Sequence, residues 1–177
     1  MDYKSLISDK LKGNTDIYLV GVFNDKKLSH LNKSISNATL KLAEKCFDNN
    51  NFTGDIGDNR TFDDIENKFQ IIFFGLGAKD KYGPINLNRS INLIINKIKK
   101  TNTKSISLNI DNIISKKLAI SLEHIVSSIE NGLYKYSYKK EKVAVKIKKC
   151  SFVSKNFIPS KIFNSLTLTG KAISNGI

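Results

Sequence analysis

The stretch Gln70-Ile71-Ile72-Phe73-Phe74-Gly75-Leu76-Gly77-Ala78-Lys79-Asp80 decides the fold. Ile71 to Phe74 is apolar on both alternating faces, which predicts a strand covered on both sides, the kind found inside an α/β sheet. Gly75 and Gly77 let the backbone turn sharply at the carboxyl end of that strand, where α/β proteins place their sites. Charged loop residues and Pro84 then lead into a helix.

Working outward, Ile17-Tyr18-Leu19-Val20-Gly21-Val22-Phe23 reads as a second buried strand, ended by the turn-forming pair Asn24-Asp25. Leu28, Leu31, Ile35, Ala38 and Leu42 recur at helical spacing, predicting an amphipathic helix lying on the sheet. Asp48 to Asn59 is loop-like, with weakly marked extended structure at Arg60–Phe62. Asn86 is placed to cap a helix carrying Leu87, Ile91, Ile94, Ile95 and Ile98 on one face. Lys97, Lys99 and Lys100 fall in its last turns, where cations complement the helix dipole. Ser105 to Ile110 alternates as a strand, and Leu118, Leu122, Ile125, Val126, Ile129 and Leu133 predict a third helix. Lys142 to Lys148 reads as a lysine-faced edge strand. Ile162, Phe163, Leu166, Ile173 and Ile177 keep helical spacing with no stop after Gly176, so the helix is expected to run on and Ile177 to be a cut rather than a natural end. Alternating strands and helices imply an α/β layered fold with a mostly parallel or mixed sheet.

Length and composition bound the function. The 177 residues suit one domain with a real core, and 40% hydrophobic with 25% charged residues is a globular balance. No apolar run approaches the ~20 residues needed to span a bilayer, and the amino terminus lacks the basic start and apolar core of a signal peptide, so a soluble cytoplasmic chain with no membrane partner is expected. Cys46 and Cys150 are too few and too far apart for a disulfide framework or metal knuckle. The net charge of +13 suggests polyanion binding, yet 27 of the 29 basic residues are lysines, Arg60 and Arg89 being the exceptions. Base readout and bidentate phosphate clamps favour arginine, so the charge is read mainly as a solvated surface with a positive field.

Catalytic groups are sparse. His30 and His124 are the only histidines, and no segment gathers the imidazoles, thiolates or carboxylates of a metal site. Asp55, Asp58, Asp63, Asp64 and Glu66 cluster but miss the calcium-loop pattern and read as polar loop. No serine lies in a Gly-x-Ser-x-Gly elbow. Two weak binding candidates remain. Gly75, Gly77 and Lys79 could present backbone N–H groups and an ammonium to a phosphate or nucleotide, but the dinucleotide fingerprint lacks its third glycine, and a structural turn is favoured. Tyr134, Lys135, Tyr136, Lys139 and Lys140 interleave aromatics with lysines and could stack bases, but packing of the rings at the exit of the third helix is favoured.

Taken in order, these pieces resemble the amino-terminal domain of the leucine aminopeptidase (cytosol aminopeptidase) family. Tyr18-Leu19-Val20-Gly21-Val22-Phe23 followed by Lys27-Leu28 is similar to the family's "VVGVF" strand and "G-K-L" turn. Phe52-Thr53-Gly54 is similar to "DF-x-G", and Ile71 to Gly77 to "VLLVGLG". Glu130 to Tyr136 resembles "EGLLLGLYRF", and Ala172 to Ile177 resembles "A-x-A-x-GVN". The match runs through the whole chain. Thr61–Glu66 departs from it, being acidic where the family carries an apolar strand, which leaves that segment's pairing open.

The resemblance implies a three-layer α/β/α macro-domain-like fold with a mixed, mostly parallel sheet. It implies a non-catalytic amino-terminal domain over 1–160 and the start of an inter-domain helix over 161–177. The "NTDAEGR" and "GKG-x-x-x-D" segments that hold the family's two divalent metals, zinc or manganese, are absent from this chain. It therefore implies no catalytic or metal-ligating residue and no cofactor bound here, with a role in assembly, access or regulation. The implied partners are the catalytic domain of the same polypeptide and a homo-hexamer, with DNA as a weaker possibility. The alternative is a stand-alone nucleotide-, ADP-ribose- or nucleic-acid-binding module.

Overall fold

The computed structural model describes residues 1–7, 11, 15–26, 28, 34–49, 51–115, 120–134, 146–156 and 158–176. Strands β1 (Asp2–Ile7), β2 (Ile17–Phe23), β3 (Asn59–Asp64), β4 (Phe69–Gly77), β5 (Ser105–Asn109) and β6 (Lys149–Ser154) form one sheet in the order β1-β6-β5-β2-β4-β3. Every neighbouring pair is parallel except β3 with β4. Helix α1 (Asn37–Asp48) covers one face, while α2 (Pro84–Ile98), α3 (Leu122–Leu133) and α4 (Ser160–Asn175) cover the other. This is the three-layer α/β/α arrangement with a mixed, mostly parallel sheet that the sequence leads one to expect.

The two apolar runs occupy the middle. All of β2 is buried, and from Ile71 to Gly77 so is β4, because each is covered on both faces. On the α1 side, Tyr18, Val20, Ile71 and Phe73 pack with Phe47 and Phe52. The Phe47 and Phe52 rings stack at 4.5 Å, and Phe73 meets Phe47 edge-on at 5.3 Å. On the other side, Leu87, Ile91, Ile94, Ile95 and Ile98 of α2 pack against Leu19, Ile72 and Phe74. Burying each such side chain contributes about 2 kcal/mol, which is why the apolar spacing alone locates this helix.

Several expectations need correction. Helix α1 begins at Asn37 and not near Leu28: Ser36 is its N-cap, its Oγ accepting the Thr39 N–H at 3.3 Å. Leu28 and Ile35 are buried outside the helix, so their spacing imitated helical periodicity. Helix α2 begins at Pro84, whose fixed φ and missing N–H suit the first helical turn. Asn86 lies inside that turn, its Nδ2 donating to the Lys81 carbonyl at 2.7 Å. Of the strand expected at Lys142–Lys148, residues 146–148 are not strand and residues 142–145 lie outside the described ones; β6 runs from Lys149 to Ser154. Gly176 is a helix stop after all, taking a left-handed φ of 74° that ends α4. The acidic segment in question does pair, as β3.

Candidate functional site

Gly75, Leu76 and Gly77 do not form the sharp turn expected: they are the last residues of β4, paired with β2 and facing the loop 54–58. The Gly75 N–H donates to the Asp58 carbonyl and the Gly77 N–H to the Gly54 carbonyl, both at 2.9 Å, and the Asn24 N–H reaches the Gly77 carbonyl at 3.3 Å. A Cβ on Gly75 would lie 1.9 Å from the Asp55 carbonyl oxygen, so this glycine is required by the close approach of two backbones. Gly77 has φ of 79°, the left-handed region. Lys79 does not reach these glycines as a free cation. Its Nζ pairs with Asp25 Oδ2 at 2.6 Å and lies 5.3 Å from the Phe23 ring centroid. A phosphate bound here would have to displace backbone hydrogen bonds and compete with a carboxylate.

The neighbouring strands β2 and β5 send their following connections to opposite sides of the sheet, a switch point where α/β folds open a crevice. Tyr18, Asn109 and Asp111 are hydrogen-bonded within the protein there, whereas the buried Ser107 Oγ, opposite Tyr18, has no partner. Asn109 Nδ2 donates to the Tyr18 hydroxyl at 2.9 Å, and burial pushes that phenol up to about 12 despite the opposing hydrogen bonds from Asn109 and Ser34. Asp111 accepts the Ser154 hydroxyl at 2.6 Å and the Lys155 N–H, tying the ends of β5 and β6 together.

Three of the clustered acids, Asp55, Asp58 and Asp64, are engaged in local hydrogen bonds. Asp58 accepts the Thr53 N–H at 2.7 Å and pairs with Arg60 at 3.1 Å. Asp55 accepts from Asn24 Nδ2 at 3.0 Å and from the Thr53 hydroxyl at 3.1 Å. Asp64, only 1% exposed, accepts the Ser36 N–H, the Asn67 N–H and Asn67 Nδ2, which anchors the start of α1 to the β3–β4 turn. His124 shares a 3.0 Å hydrogen bond with the Ser121 hydroxyl. Among the described residues, no group of three or more His, Cys, Asp or Glu is placed to hold a metal ion. The donor set of a two-metal hydrolytic centre does not fit the residues present here.

Of the aromatic–lysine stretch, Tyr134 is the described member. It is 70% exposed at the end of α3, where its N–H closes the helix on Glu130. With Met1, Glu130, Leu133 and Ile147 it lines an open cavity of about 510 Å³. The packed ring expected at the exit of this helix is thus not what Tyr134 forms. Lys135, Tyr136, Lys139, Lys140 and also His30 lie outside the described residues. No helix among the described residues is long and apolar enough to cross a membrane.

The fold defines a layered α/β domain, and comparison with known proteins gives its family. Residues 19–142 match the cytosol aminopeptidase family, N-terminal domain. The chain belongs to that family, as its amino-terminal domain. A probable cytosol aminopeptidase of Buchnera aphidicola subsp. Baizongia pistaciae (strain Bp) is 26% identical over 175 residues, covering 93% of this chain and 35% of that protein. Among solved structures, a mutant of tomato leucine aminopeptidase superposes with a TM-score of 0.76 at 12% identity, covering 99% of this chain and 36% of that one. The bottromycin maturation enzyme BotP, also solved in complex with Mn, superposes with TM-scores of 0.60 and 0.59 at 10% identity, over 91% of this chain and 30% of that one. At such identities the superpositions carry the fold alone. The chain spans about a third of the length of these relatives.

Proposed function

We propose that this chain is the non-catalytic amino-terminal part of a cytoplasmic leucyl aminopeptidase, acting in assembly, substrate access or regulation. The observation that carries this reading is the family match over residues 19–142, in a chain covering only 35% of its Buchnera relative. The parent enzyme removes amino-terminal residues from peptides, using two divalent metals, zinc or manganese, held outside this chain. Residues 1–160 are the domain proper, and 161–177, which carry α4 and its close at Gly176, lead toward the catalytic part of the same polypeptide in a homo-hexamer.

The test is twofold. The purified 177-residue chain, supplied with manganese or zinc, gives no turnover of leucine p-nitroanilide, and an antibody raised against it detects a far longer polypeptide in source cells. Robust, chelator-sensitive turnover by the pure chain overturns the non-catalytic assignment. A native polypeptide of this length alone overturns the parent enzyme and favours the stand-alone module. That second reading draws on the charge of +13 and on exposed Tyr134, with DNA or ADP-ribose as ligand. The engaged amides of Gly75 and Gly77 weigh against its phosphate loop. Saturable ADP-ribose binding, or duplex DNA binding that survives moderate salt, would support it.

A further inference from the structure

Strand β3 closes one edge of the sheet, and its pairing with β4 fixes where its backbone groups point. The Gly75 N–H turns toward Asp58, whereas the Gln70 N–H turns the other way, to the Asp16 carbonyl. In an antiparallel ladder the N–H and C=O of one residue point to the same side, and the side alternates along the strand. Arg60, Phe62 and Asp64 therefore face β4, while Asn59, Thr61 and Asp63 direct their N–H and C=O groups outward from the sheet. Side chains alternate between the two faces as well. Phe62 packs into the α1-side core, and Asn59 Oδ1 accepts from Lys97 Nζ of α2. Asn59, Thr61 and Asp63 thus share the α2 face, and Thr61 and Asp63 are exposed there. None of the ion pairs among the described residues involves Asp63.

We infer that β3 is a self-docking edge, on which a second copy of this chain lays its own β3 antiparallel about a two-fold axis at Thr61. Only residues of the same backbone orientation can stand opposite each other, which leaves few registers. An axis at Thr61 sets Asn59 opposite Asp63 of the second copy, so that this carboxylate enters beside Lys97, and symmetry makes the contact twice. On the other face it sets Arg60 beside Phe62 of the second copy, a cation–π arrangement. An axis at Arg60 would place the two guanidinium groups against each other, and an axis at Phe62 would move Asp63 away from Lys97 to Thr61. The Asp63–Lys97 contact between the two copies therefore selects this register. The inference does not depend on the aminopeptidase reading.

Sedimentation velocity of the 177-residue chain over a range of concentrations tests it. A reversible monomer–dimer equilibrium is expected. Thr61→Pro abolishes the dimer while leaving the far-UV circular dichroism unchanged, because the N–H it removes points away from β4. Asp63→Lys weakens dimerisation about tenfold, two attractive contacts becoming repulsive, and adding Lys97→Asp restores it. If Thr61→Pro fails to fold, the charge-reversal pair decides alone. A chain that stays monomeric at every concentration overturns the inference. So does a dimer indifferent to Asp63→Lys, or one that the double reversal fails to restore.

Discussion

Gly170 of α4 lies so close to Val126 of α3 that an added Cβ would sit 2.6 Å from the Val126 Cβ and 2.7 Å from the Glu123 carbonyl oxygen. The two helices meet almost backbone to backbone there, and Phe163 and Thr167 complete the buried face of α4. Gly170→Val must push α4 outward. Overpacking of this kind costs about 2–3 kcal/mol, read as a lower urea midpoint with little change in slope. An unchanged midpoint would mean that α4 does not hold this position in solution.

Gly75 makes a stricter demand, because what faces it is backbone rather than a movable side chain. Gly75→Ala should destabilise by about 3 kcal/mol or prevent folding. A phosphate-binding glycine gives a different signature, in which stability is kept and ligand is lost. Thermal melts of the variant with and without ADP-ribose separate the two.

Asp16 makes stability depend on pH. Burial raises its carboxyl, but the Lys104 and Ser105 N–H groups, at 2.8 and 2.9 Å, together with the Ser105 hydroxyl and the Lys104 charge, outweigh this and hold it below the usual carboxylate range. A group depressed in the folded state stabilises above its unfolded value, near 4, and that contribution disappears as pH falls through the lower folded value. Asp16→Asn should therefore differ from the parent most at neutral pH and converge with it in strong acid. Stability curves that stay parallel down to pH 2 would refute this.

The two thiols should behave differently. Cys150 is fully buried in the core on the α2–α4 side of the sheet, and burial, reinforced by nearby Glu130 and only partly offset by the amino terminus, pushes its thiol far up. Cys46 on α1 is partly exposed. At pH 8 a disulfide reagent should label Cys46 and reach Cys150 only on unfolding. Equal rates at both would contradict this packing.

The centre of the sheet was legible because β2 and β4, covered on both faces, are continuous apolar runs with few other uses, and β5 shows a clean alternation. The edges were not. β1 alternates exposed Asp2 and Lys4 with half-buried Tyr3 and Ser5, as an edge strand does. β6 hides its strand character behind Cys150, Ser151 and Ser154, and the cleaner alternation just before it drew the prediction away. β3 looked unlike a strand because its acids are those of an edge, with Asp64 turned inward as an anchor for Ser36. In the candidate site, the close fit of Gly75 against loop 54–58 was invisible, since nothing in a Gly-x-Gly reveals which backbone lies opposite.

The position of β6 between β1 and β5 sets an order of events during synthesis. β1 emerges early, yet its neighbour Lys149–Ser154 leaves the ribosome on the order of ten seconds later at usual rates. Until then β5 offers an unoccupied parallel edge, and β1 is a tethered strand of suitable direction that would fit it in the wrong place. Correct folding requires β6 to insert between them. A pause in translation before residue 149 would lengthen that exposure, so the yield of this domain should respond to the codons that precede β6 more than to those within it.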